Sequence, residues 1–100
     1  MRIQQTEISK IIEFANVTFG EGISLYLFGS RVDDNLRGGD IDLLVESNFN
    51  IEKETQMKFL YKIFRHITER KVDLLVVNTN TERVNLGIYK EAKAKGIKLC

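Results

Sequence analysis

The chain has no proline among its 100 residues, so no Pro-rich linker divides it. It has one cysteine, Cys100. A lone cysteine cannot close an internal disulfide, and a reducing cytoplasm is the expected compartment; Cys100 itself is assigned no role. The single histidine, His66, has no second histidine with which to build a zinc site, and its charged neighbours in FRHITER place it on the surface. An excess of charge is missing too. The net charge of +1 argues against direct nucleic-acid binding through a broad basic surface, while leaving a local phosphate site open. No apolar run approaches the roughly 18–20 residues of a membrane span. MRIQQTEISK lacks the apolar stretch of a signal peptide. There is no internal repeat and no low-complexity segment.

What is present is ordinary for a globular chain, 43% hydrophobic and 29% charged. A length of 100 residues holds one small core, so residues 1–100 are expected to form a single domain. Ile8, Ile11, Ile12, Ala15 and Phe19 recur at helical spacing and predict a first helix, ended by Gly20 and Gly22. Ser24 to Phe28 reads as a strand and Asp40 to Glu46 as a second. Glu52 to Glu69 reads as a long helix with Met57, Leu60, Tyr61, Phe64 and Ile67 as its core face. Lys71 to Val77 is a third strand, too apolar to be half exposed. Asn78 or Asn80 is expected to cap a last helix running to Lys95, with Gly96 just past its end and Ile97 to Leu99 as a short edge strand. Leu86 and Tyr89 on that helix are open to either packing or an interface. The basic run Lys90, Lys93, Lys95 and Lys98 is expected to be a solvated helix face favoured by the C-terminal dipole, with contact to an acidic partner or RNA as the lesser reading. The order α-β-β-α-β-α predicts an α/β (α+β) fold, a small mixed sheet with helices packed on it.

The chemistry concentrates in LFGSRVDDNLRGGDIDLLVE, residues 27–46. Strand side chains alternate, so Asp40 and Asp42 share a face, their Cα atoms about 6.5–7 Å apart. Ile41, Leu43 and Val45 take the other face into the core. Asp73 alternates in the same way within KVDLLVV. A charge in such a strand needs a partner, a metal or the sheet's edge. If the two strands are neighbours, three carboxylates meet, and their repulsion is relieved by a cation. Hard oxygen donors with open positions suit Mg²⁺. Gly29 and Ser30 at a strand end bring backbone and hydroxyl donors close to an anion, and Arg31 adds a charge-assisted phosphate contact. A phosphate cradle facing a carboxylate site is what transfer from a nucleoside triphosphate requires.

The stretch GSRVDDNLRGGDIDLLVE with the later VDLLVV resembles the minimal nucleotidyltransferase domains of the DNA polymerase β superfamily. That pattern is Gly-Ser, a loop, Asp-x-Asp on a strand and a third acid on a later strand, here Gly29, Ser30, Asp40, Asp42 and Asp73. The resemblance runs from the first helix to the third strand and implies the nucleotidyltransferase fold. It implies two Mg²⁺ ions on Asp40 and Asp42, with Asp73 completing one site and helping to deprotonate the incoming hydroxyl. It implies that Gly29 and Ser30 hold the triphosphate of ATP. Larger members carry a further domain for the acceptor or the base. This chain has no room for one, so the acceptor is expected in trans. Such minimal domains often pair with a HEPN-domain protein in toxin–antitoxin modules. The resemblance then implies an antitoxin that transfers AMP from ATP to a tyrosine of the toxin, an RNase (AMPylation). Two other classes stay open: an antitoxin acting by contact alone, and a small-molecule nucleotidyltransferase. The complete motif weighs against the first, and the lack of a substrate-binding domain against the second. Homo- and hetero-oligomers are both open.

Overall fold

The computed structural model describes residues 5–28, 41–80 and 87–100. The first helix, α1 (Gln5–Phe19), buries Ile8, Ile11, Ala15 and Phe19, the stripe that its periodicity predicts. It stops at Gly20, whose φ of +93° is a left-handed conformation open to glycine at little cost, and whose N–H donates to Asn16 O at 2.9 Å. Strand β1 (Ser24–Phe28) follows, then β2 (Ile41–Ser47), α2 (Lys53–His66), β3 (Val72–Asn78), α3 (Gly87–Lys95) and β4 (Ile97–Lys98). Asn78 thus ends β3, and its side chain accepts from the Asn80 N–H at 2.9 Å; α3 is described only from Gly87.

The four strands lie in the order β3-β2-β1-β4. β1 runs antiparallel to β2 and to β4, whereas β2 and β3 are parallel. Parallel neighbours need a long crossover, and α2 supplies it. Alternation sends Leu25, Leu27, Ile41, Leu43 and Val45 to one face of the sheet, where they meet α1 and α2. Leu44 and Val77 turn to the other face and pack on Tyr89 and Ala92 of α3. The sheet is covered on both faces, so β2 is apolar on both and Leu43, Leu44 and Val45 are all fully buried. Among the described residues no helix is long and apolar enough to cross a membrane.

Two expectations change, and one alternative is settled. β3 is an edge strand, so VDLLVV is half-buried along most of its length and only Val77 is fully inside. The core face of α2 is Phe59 and Ile63, with Leu60 and Ile67 half-buried, while Met57, Tyr61 and Phe64 point to solvent. Phe59 is held there by Phe19 of α1, ring centroids 4.9 Å apart. The helix is apolar on two sides, and α1 and the sheet select one. Of the two alternatives open at Tyr89, packing is realised: it is buried with Leu44 and Val77 of the sheet; Leu86 lies outside the described residues.

Gly96 follows α3 as expected, but its φ is not positive and its reason is proximity. A Cβ there would collide with the Ala92 carbonyl oxygen in the last turn of α3 and stand 2.9 Å from Leu27 O and 3.2 Å from Phe28 Cβ of β1. Gly96→Ala is therefore expected to push α3 off β1 and cost about 1–3 kcal/mol, read as a lowered midpoint in urea unfolding.

Candidate active site

Asp42 is the second residue of β2 and Asp73 the second of β3, and the parallel register sets them directly opposite one another. Adjacent strands are about 4.8 Å apart, and paired residues of a parallel ladder point to the same face. That face is the one α3 covers further along, at Leu44 and Val77. At the Asp42–Asp73 end Asp42 is half-buried, and the Asp73 side chain is 48% exposed beside Lys71, Nζ to Oδ1 3.7 Å. Both the edge and a cation partner, two of the routes open to a charge in this strand, are thus realised at Asp73.

β1 arrives from the opposite direction. Its last residue, Phe28, is in register with Asp42, so β1 ends beside the carboxylate pair. Gly29, Ser30, Arg31 and Asp40 lie outside the described residues. Of the expected site, the structure brings together Asp42 and Asp73. Among the described residues no group of three or more His, Cys, Asp or Glu is assembled for a metal. Two in-register carboxylates with hard oxygen donors, one half-buried and one exposed, nonetheless suit a divalent cation of the Mg²⁺ type.

Further along the same face lies a cluster that the sequence reading passed over. The Tyr89 hydroxyl donates to Glu46 Oε2, and Lys93 Nζ sits 3.0 Å from the same oxygen and 5.6 Å from the Tyr89 ring centroid. The cluster pins α3 to β2. Its signal was present: Glu46 is two alternations beyond Asp42, and Tyr89 and Lys93 are one helical turn apart. Burial pushes the Glu46 carboxyl up, but the Tyr89 hydroxyl and the Lys93 ammonium outweigh it and hold it below its ordinary 4.5. Burial, then the bond to Glu46, raises Tyr89 above 10.0. A depressed carboxyl stabilises the fold above its unfolded value and loses that contribution as pH falls through the folded one. Tyr89→Phe is accordingly expected to cost about 1–2 kcal/mol at neutral pH. The deficit should shrink once pH falls below about 4.5, as unfolding midpoints measured across pH will show.

The family model for "Polymerase beta, Nucleotidyltransferase" matches residues 9–95. The chain belongs to the polymerase β nucleotidyltransferase family. Its fold, mixed sheet and three helices, is the nucleotidyltransferase fold. The structure of a tri-AMPylated HEPN toxin of Shewanella oneidensis in complex with MNT antitoxin contains a chain similar to this nucleotidyltransferase domain at TM-score 0.72 and 21% identity, over 98% of this chain and 72% of that one. A toxin–antitoxin structure with AMP-PNP is similar at TM-score 0.73 and 20% identity, over 93% and 72% of the two chains. A structure of the MntA-HpeT toxin–antitoxin carrying two Asp-to-Glu substitutions two positions apart is similar at TM-score 0.72 and 18% identity, over 93% and 71%. No curated protein matches the sequence significantly.

Proposed function

We propose that this nucleotidyltransferase domain, residues 1–100 acting as one unit, is the antitoxin of a toxin–antitoxin pair. It transfers AMP from ATP to a tyrosine hydroxyl of a HEPN-type toxin in the cytoplasm. The observation that carries the reading is the in-register pair Asp42–Asp73 in a polymerase β sheet. The similar structures support it: one holds an AMPylated HEPN toxin with its MNT antitoxin, another AMP-PNP. In a third, the substituted aspartates have the spacing of Asp40 and Asp42 here.

In this reading Asp40, Asp42 and Asp73 hold Mg²⁺, which when bound neutralises triphosphate charge and makes the acceptor hydroxyl more acidic. Gly29 and Ser30 donate hydrogen bonds to the triphosphate, and Arg31 adds a charged contact. Asp73, exposed at the edge, takes the proton of the acceptor hydroxyl. The freed oxygen bonds to the α-phosphorus, the bond from that phosphorus to the bridging oxygen breaks, and pyrophosphate leaves. Transfer is favoured because acceptor and phosphate are held in one place, not because the protein contributes a covalent group.

The test is to mix the chain with the HEPN-domain protein encoded beside it, ATP and Mg²⁺, and weigh the partner intact. Mass gains in whole AMP units on tyrosine are the expected result. A partner that gains no mass yet is neutralised, in cells as well by Asp42→Asn as by the native chain, would mean inhibition by contact alone.

A further inference from the structure

Among the described residues, three of the exposed large apolar side chains stand together on the outward side of α2, away from the site. Met57, Tyr61 and Phe64 are 56%, 62% and 53% exposed. They recur at i, i+4 and i+7, forming one stripe roughly 150° around the helix from the buried Phe59 and Ile63 at 100° per residue. Such spacing is the anchor pattern of a helix that sets its apolar face into a partner's groove. A contiguous exposed stripe of this kind is unusual on a helix whose core face is already satisfied.

Charge selects the occupant. Lys53, Lys58, Lys62 and Arg65 stand against one acid, Glu54, so α2 carries +3, while the whole chain carries only +1. Everything outside the helix is therefore net acidic. Among the described residues, Lys53, Lys58 and Arg65 enter no ion pair, and Lys62 bonds Thr18 Oγ1 at 3.3 Å. A second copy meeting α2 about a two-fold axis would bring like cations together. The complementary surface is an apolar patch bordered by carboxylates.

We propose that the Met57–Tyr61–Phe64 stripe, with Lys58 and Arg65 at its border, is the docking surface for the HEPN-type partner, which presents an acid-bordered apolar patch to it. This rests on the partner named under Proposed function. α2 covers the sheet face opposite to that of Asp42 and Asp73, so docking there leaves the carboxylate pair uncovered. Anchoring and transfer are then separate contacts. The second is made by an acceptor segment of the same partner, or of another copy bound to it.

The experiment is calorimetric titration of the neighbouring HEPN-domain protein into the native chain, into Tyr61→Ser/Phe64→Ser, into Lys58→Glu/Arg65→Glu and into Asp42→Asn. Circular dichroism verifies that each is folded. Both α2 variants should bind at least tenfold more weakly, the charge variant with a flatter salt dependence, and Asp42→Asn should bind like the native chain. In AMP transfer the α2 variants should raise KM for the partner and keep kcat. Native binding that neither α2 variant weakens overturns the docking surface and leaves the proposed function standing. No binding by the native chain overturns both. Two further results overturn the docking surface by naming another occupant. One is a native dimer in light scattering that Tyr61→Ser/Phe64→Ser turns into a monomer. The other is α2 variants that lose a uridine-rich RNA oligonucleotide but keep the partner.

Discussion

Asp42→Asn should lower AMP transfer by about 10²–10³-fold or more while leaving the fold in place. The estimate takes the loss of one preorganised charge at a reacting centre as its scale. Asparagine has the shape of aspartate but neither its charge nor its affinity for a hard cation. Asp42 is paired in register with Asp73, so the variant removes one of the two carboxylates that the structure brings together in the proposed site. Folding is expected to survive because the residue is half-buried near the start of β2 and asparagine keeps its shape and hydrogen-bonding oxygen; the backbone ladder and the apolar residues beside it are unchanged. A second readout does not depend on turnover. Two adjacent carboxylates repel without a cation and are relieved by one. Mg²⁺ with ATP should therefore raise the thermal midpoint of the native chain, as any ligand of the folded state does. The rise should be much smaller in Asp42→Asn. Equal rises in both, with equal transfer, would remove Asp42 from the site.

Phe59→Ala carries the largest expected cost to stability, about 3–5 kcal/mol. Phe59 is fully buried between α1 and the sheet, in ring contact with Phe19. Truncation loses the transfer free energy of the ring and leaves a cavity that the sheet and α1 cannot close. For a domain whose total stability is about 5–15 kcal/mol, that is enough to bring unfolding near ambient conditions. Phe64→Ala, five positions on and 53% exposed, should change stability by less than about 0.5 kcal/mol. Urea unfolding of the two variants side by side checks the pair. A large loss at Phe64 with little at Phe59 would mean that α2 is rotated the other way.

That contrast marks the limit of reading α2 from its sequence. Met57, Leu60, Tyr61, Phe64 and Ile67 form the more populated stripe, yet Phe59 and Ile63 are buried. Periodicity reports that a helix has an apolar side, not which of two such sides meets the core. The decision comes from Phe19 and the sheet, elements far away in sequence. Tyr89 was ambiguous for the same reason: its partner Glu46 is 43 positions away.

What the sequence determined by itself was local. Helical spacing placed the buried stripe of α1, Ser24–Phe28 was delimited as a strand residue for residue, and alternation put Asp42 and Asp73 each on the face away from Ile41, Leu43 and Leu74. These follow from dihedral geometry that repeats every two or 3.6 residues and needs no neighbour. Only the tertiary structure decided that β2 and β3 lie side by side in parallel, with Asp42 against Asp73 and with Val72, Leu74, Leu75 and Val76 half-buried at an edge. Strand order is set by which pairing buries most apolar surface once α1, α2 and α3 compete for the two faces of the sheet. That competition is between distant segments, and it turned two separately placed charges into one site.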